Sequence, residues 1–178
     1  MKLNYFRTIC LIVLFFILSI TSGYADVWDL KNDWSDTVNG GVWSYRHGNV
    51  LLSHVDGWNI WPNQPAWKGD EFVPVWFKST NDRPTDEAVC DFTIGDIVTH
   101  STDSFSGPNM GPSNVIWTSP INDIVNISGS AWAARDIGRS NHWAILLNGS
   151  TLTEGDVYSD DPYSRDNPFD FSQGSGCL

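Results

Sequence analysis

The chain has 178 residues, with 10 Lys+Arg against 21 Asp+Glu and a formal charge of −11. One domain fills that length, since single domains usually hold about 100–200 residues, so a pair of stacked enzyme domains is excluded. The acidic balance leaves no basic surface to grip nucleic-acid phosphates or anionic lipid, and 41% apolar against 17% charged residues fits a globular core rather than a disordered acidic tail.

The first element along the chain is a targeting segment. Lys2 and Arg7 form a basic n-region, residues 9–20 are apolar except for Ser19, and Gly23-Tyr24-Ala25 places small residues at −3 and −1 of a cleavage site. This pattern predicts a secretory signal peptide over residues 1–25. The alternative is an uncleaved anchor, but the apolar run is shorter than the roughly 20 residues of a transmembrane helix. The expected mature chain, residues 26–178, is more acidic still and has no second run apolar enough to span a bilayer. It is therefore expected without stable membrane insertion, secreted, periplasmic or at the cell surface. Cys10 leaves with the signal. Cys90 and Cys177 remain, and a bridge between them stays open: an oxidising compartment permits one, while a penultimate residue sits where chain ends fray.

The mature chain breaks into short runs rich in Val, Ile, Trp, Phe and Thr at residues 42–45, 50–54, 72–77, 96–100, 114–118, 124–128, 132–134 and 143–147, separated by Gly, Pro, Asn, Asp and Ser. Each has the length and composition of a strand. Val125 and Ile127 alternate with Asn126 and Ser128, and Trp143, Ile145 and Leu147 face one way while Ala144 and Leu146 face the other. Leu147-Asn148-Gly149-Ser150 is a strong hairpin signal, because both turn residues must adopt positive φ. No apolar stripe is long enough for a stable helix, apart from one possible turn near residues 85–89. The reading is an all-β, antiparallel sandwich or jelly roll.

No tightly spaced catalytic motif occurs: there is no G-x-S-x-G, H-E-x-x-H, P-loop, G-x-G-x-x-G or EF-hand loop. A glycosidase needs only two carboxylates brought together by the fold, so twenty-one acidic residues keep a small glycoside hydrolase or lyase as the alternative. His47, His54, His100 and His142 are spread over different runs and read as structural; His100 and His142 stand at strand ends where either can meet a carboxylate.

The segment Trp58-Asn59-Ile60-Trp61-Pro62-Asn63-Gln64-Pro65-Ala66-Trp67 is the leading candidate site. Exposed rigid indoles stack on the apolar faces of sugar rings while amides bond hydroxyls, which assigns Trp58, Trp61 and Trp67 as platforms and Asn59, Asn63 and Gln64 as hydroxyl partners. The bland reading of the same loop is that its indoles cap the sandwich core. A second cluster, Asp156, Asp160, Asp161 and Asp166 with Asp170 beyond, supplies oxygens for a structural calcium, the alternative being a plain acidic loop partly neutralised by Arg165. Asn126-Ile127-Ser128 and Asn148-Gly149-Ser150 are acceptor sequons, meaningful only in a eukaryotic secretory pathway.

Asn39-Gly40-Gly41-Val42-Trp43-Ser44-Tyr45 resembles the "NPNGVWSYG" opening of a group of exported bacterial β-sandwich proteins, many of which carry a C-terminal PEP-CTERM sorting signal. Asp96-Ile97-Val98-Thr99-His100, Val115-Ile116-Trp117-Thr118-Ser119-Pro120 and Asp136-Ile137-Gly138-Arg139-Ser140-Asn141-His142-Trp143 resemble later strands of that group. The resemblance spans most of residues 29–176 and brings no catalytic residues. It implies a jelly roll similar to carbohydrate-binding modules, associated with the envelope and exopolysaccharide. Similar proteins continue beyond Ser175-Gly176-Cys177-Leu178 through about two further strands, so the resemblance also implies a truncated sandwich with an exposed edge. The combined expectation is a non-catalytic protein binding a glycan or exopolysaccharide; a structural envelope protein without a ligand is the third reading.

Overall fold

The computed structural model describes residues 26–58, 63–70, 72–80, 90–102 and 111–177. Eleven strands lie among them: β1 Trp43–His47, β2 Val50–Leu51, β3 Ser53–Trp58, β4 Gln64–Lys68, β5 Val75–Lys78, β6 Ile97–His100, β7 Ser113–Trp117, β8 Ile124–Ala131, β9 Ser140–Leu147, β10 Ser150–Tyr158 and β11 Phe169–Cys177. Every pairing is antiparallel, so the protein is all-β. The ladders form four sheets, ordered β2-β1-β7, β3-β4-β5-β6, β10-β9 and β11-β8. Among the described residues no helix is long and apolar enough to cross a membrane.

Seven of the sequence-read runs coincide with β1 to β3 and β5 to β9. The run at 132–134 does not form a strand: Trp132 Nε1 donates to the Asp91 carbonyl at 2.7 Å and Asp91 N donates to the Ala134 carbonyl at 2.9 Å, so the segment is pinned as a connection. The signal peptide at 1–25 and the turn near 85–89 lie outside the described residues.

Strand β4 replaces part of the expected binding loop. Pro65 is tolerated there because it has no ladder partner: the β3–β4 register shifts between Val55 and Trp58, and pairing to β5 begins only at Trp67. Alternation along β4 then sends neighbouring residues to opposite faces. Ala66 joins Trp58, Val73, Val75 and Phe77 on one face, with Phe92 closing on Phe77 at 6.2 Å. Trp67 and Trp76 point to the other, where Tyr45 of β1 and Val115 of β7 meet them and Leu30 and Trp34 close the side. Tyr45 stacks on Trp67 at 6.0 Å with an interplanar angle of 12°. The three-stranded sheet thus covers one face of the four-stranded sheet, the packing expected of a sandwich. The hydroxyls of Thr99 and Ser113, 2.7 Å apart, tie β6 to β7.

The C-terminal strands form two ribbons held by aromatic packing. Trp143 of β9 lies 5.2 Å from Phe169 and 5.4 Å from Phe171 of β11, and Tyr163 packs edge-on against Phe169 at 5.0 Å. Each ring passes over a glycine directly across its own ladder: Trp143 pairs with Gly155 and Phe171 with Gly129. A Cβ at Gly155 would stand 2.9 Å from Trp143, and one at Gly129 would stand 2.7 Å from Phe171. The absence of a side chain at these positions is what lets the rings lie flat across the strand. Cys90 is buried and its backbone bridges to Arg135, tying the loop before β6 to the C-terminal half.

Candidate functional site

The aromatic segment singled out in the sequence is largely core. Trp58 and Trp67 are each 4% exposed and Gln64 is 1% exposed, so they are not stacking platforms or hydroxyl partners. Trp58 Nε1 donates to the Phe72 carbonyl at 3.0 Å while its ring packs on Phe72 and Phe77. Trp67 Nε1 donates to the Ser35 carbonyl at 2.9 Å, and Gln64 Oε1 accepts from Thr80 N at 3.2 Å. The cause is the two-sided burial of β4, which sends consecutive side chains into two different apolar layers. Asn63 is exposed, and its amide fills the space above Gly57. Asn59 and Trp61 lie outside the described residues.

The acidic cluster does not converge either. Asp156 accepts from His142 Nδ1 at 3.0 Å across the β9–β10 ladder, with Glu154 3.6 Å from the other ring nitrogen. Asp161 accepts from the backbone N–H groups of Tyr158 and Tyr163 at 2.8 and 2.7 Å, a local turn. Asp166 faces Arg165 at 3.9 Å, and Asp160 is exposed. Among the described residues no three His, Cys, Asp or Glu side chains gather to hold a metal ion, which corrects the calcium expectation for Asp156, Asp160, Asp161 and Asp166. Among the described residues His100 meets no carboxylate: its Nδ1 lies 2.6 Å from the Ser101 carbonyl and its Nε2 is 3.4 Å from Arg139.

A different set of tryptophans surrounds a concavity. Strands β1 and β7 place Trp43 and Trp117 directly opposite each other, with ring centroids 6.5 Å apart. Trp28, from the segment preceding β1, reaches the same place and lies 5.3 Å from Trp117. Beside them opens a groove of about 380 Å³ lined by Trp28, Asp33, Ser35, Val38, Trp43 and Tyr45. Trp28 and Trp43 are half-buried, and both line the groove.

Short polar side chains hold the strand-free segment that forms this wall. Asp29 Oδ1 accepts from the backbone N–H groups of Lys31 and Asn32 at 2.8 and 2.9 Å, and Ser35 Oγ accepts from Thr37 and Val38 N–H at 3.2 and 3.0 Å. Asp33 Oδ2 accepts from Trp43 Nε1 at 3.1 Å and from Asp29 N at 2.9 Å, which fixes the indole and orients the carboxylate. Asn39 locks the entry to β1: its amide donates to the carbonyls of Tyr45 and Leu52 and accepts from Tyr45 N. At the base of the groove Tyr45 is 1% exposed, and among the described residues its hydroxyl has no hydrogen-bond partner. Burial, with the charges of Asp36 and Asp33 adding to it, pushes the phenol above its ordinary pKa, so it stays protonated.

A second concavity, of about 280 Å³, is lined by Asp91, Phe92, Thr93, Arg165 and Asp166. An ion cluster sits beside it. Asp96 is 5% exposed and receives Arg165 Nε at 2.8 Å, Thr93 N at 2.9 Å and Lys31 Nζ at 3.2 Å. Burial alone would raise its pKa, but the hydrogen bonds from Arg165, Thr93 and Lys31 outweigh that and hold the carboxyl below its usual value. With Arg165 N donating to Asp91 at 2.7 Å, this cluster staples the N-terminal segment, the loop before β6 and the loop before β11. Its polar groups are bonded to one another, which makes it a structural clasp and leaves the Trp28–Trp43 groove as the candidate site.

Trp43 and Trp117 stand in two of the motifs that carry the resemblance, yet as isolated positions they read only as strand filling. Their pairing across β1 and β7, and the arrival of Trp28, are properties of the folded chain. Comparison of the chain with protein-family models, with curated proteins and with solved structures finds no match.

Proposed function

We propose that this protein is an exported, non-catalytic β-sandwich module of jelly-roll type that binds carbohydrate at the cell envelope or in exopolysaccharide. The observation that carries the reading is the convergence of Trp28, Trp43 and Trp117 beside a groove of about 380 Å³ holding an oriented carboxylate and a hydroxyl. A sugar ring presents apolar C–H faces that stack on indoles and equatorial hydroxyls that need acceptors; Asp33, bonded within the chain through Oδ2, supplies one through its other carboxylate oxygen. The volume suits one or two sugar units in an open groove, as on the side of a longer chain. The signal-peptide pattern at residues 1–25 and the absence of a tightly spaced catalytic motif support the exported and non-catalytic parts of the reading.

The test is a panel of polysaccharides read by intrinsic Trp fluorescence and affinity electrophoresis. Trp28→Ala and Trp43→Ala are each expected to weaken binding at least tenfold, which corresponds to about 1.4 kcal/mol, while far-UV circular dichroism stays that of the parent. Undiminished binding by both variants would overturn the groove assignment. Release of reducing ends from a bound polysaccharide would replace the binding reading with the hydrolytic one.

A further inference from the structure

We propose that Asn148, at the tip of the β9–β10 hairpin, is a site of spontaneous deamidation, and that the fold protects the chain's other Asn-Gly step, Asn39-Gly40. The two steps have the same local sequence chemistry and opposite surroundings. Asn39 is half-buried, and its side-chain amide makes three hydrogen bonds: Nδ2 to the carbonyls of Tyr45 at 3.0 Å and Leu52 at 2.8 Å, and Oδ1 from Tyr45 N at 2.8 Å. Its carboxamide carbon cannot swing toward Gly40 N without breaking them, and the departing nitrogen is itself a donor in two. Asn148 is exposed, and among the described residues no hydrogen bond holds its amide. It adopts φ 50°, Gly149 follows at φ 83°, and nothing stands within 4 Å of where a Gly149 Cβ would lie. Glycine also lets the turn open transiently to bring its nitrogen onto the amide carbon.

The reaction needs only water. Gly149 N, after losing its proton to solvent, attacks Asn148 Cγ; the Cγ–Nδ2 bond breaks and the nitrogen leaves as ammonia, taking up a proton, to give a five-membered succinimide. Water then opens the ring. Attack at Cγ yields Asp, and attack at the backbone carbonyl carbon yields isoaspartate, whose main chain runs through the side-chain methylene. Both products add one negative charge. Isoaspartate also lengthens a two-residue turn that requires positive φ at both positions. The ladder begins at Leu147 opposite Ser150 and continues to Trp143 opposite Gly155, so a slip at the turn would move Trp143 off Phe169 and Phe171.

The experiment is incubation of the full chain at mildly alkaline pH, folded and in urea, followed by peptide mapping with mass and isoaspartate detection. In the folded chain the peptide holding Asn148 is expected to convert several-fold faster than that holding Asn39, and in urea the two rates converge because the Asn39 bonds are gone. Equal rates in the folded chain, or conversion of Asn39 ahead of Asn148, would overturn the proposal.

Discussion

Tyr45 shows how one side chain serves two ends. Its ring is enclosed by Trp34 at 4.5 Å, Trp67 at 6.0 Å and Trp76 at 6.4 Å, while its hydroxyl is buried without a partner among the described residues. A buried, unpaired hydroxyl costs roughly 1–3 kcal/mol. Tyr45→Phe is therefore expected to stabilise the fold by about 1 kcal/mol, read as a higher urea midpoint at unchanged slope; a lower midpoint would show that the hydroxyl is bonded in solution. Asp96 acts in the opposite sense. Its folded pKa is depressed below the ordinary value of about 3.9, so the stability it contributes is complete above that value and is lost as pH falls through the folded one. Asp96→Asn is expected to lower the urea midpoint at neutral pH and to flatten the decline of stability below about pH 4, the range set by the ordinary carboxylate value. An unchanged acid limb in the variant would show that other carboxylates govern it. Neither role was readable from the sequence, where Tyr45 is one aromatic in a strand and Asp96 one of twenty-one acids.

At the scale of elements, the strands that were legible are those whose pattern is local. β1, β5, β7, β8 and β9 show β-branched and aromatic residues between turn formers, and the Asn148-Gly149 hairpin follows from the φ both residues adopt. β4 was masked by its proline, and β10 and β11 by Gly, Ser, Thr and Asp, which have low apolar content and gain their place by pairing with β9 and β8. The glycines in these strands are not neutral. Gly155→Ala and Gly129→Ala drive a methyl group into Trp143 and Phe171 respectively, and each is expected to destabilise by about 1–3 kcal/mol, the usual cost of overpacking. Thermal denaturation followed by near-UV circular dichroism of the Trp143 environment tests this; a gain in stability from either would mean that the ring swings aside freely.

At the scale of the whole molecule, net charge bears on the proposed binding of carbohydrate in the groove. The chain carries −11, Asp33 lines the groove, and Asp29 and Asp36 lie in the same segment. Like charges across an interface are penalised, and the penalty is screened by salt. A neutral polysaccharide is therefore expected to retard the protein in affinity electrophoresis more than a polyuronate of the same linkage, with the difference narrowing as salt is added. Tighter retention by the polyuronate would contradict the charge argument.

Composition and local pattern determined the fold class and the hairpin turn, because these depend on residues within a few positions of one another. Which tryptophans are core and which border a groove was decided by tertiary structure. Trp58 and Trp67 look like a surface cluster along the chain, but β4 is covered on both faces and takes them inside. Trp28, Trp43 and Trp117 are dispersed along the chain, and only the β1–β7 ladder brings the latter two opposite each other and gives the first a ring to pack on. The acidic residues followed the same rule. Closeness in sequence did not make Asp156, Asp160, Asp161 and Asp166 a site, since each carboxylate's surroundings are set by the strand or turn that carries it. Burial and convergence are properties of long-range packing, and a single sequence encodes them without displaying them.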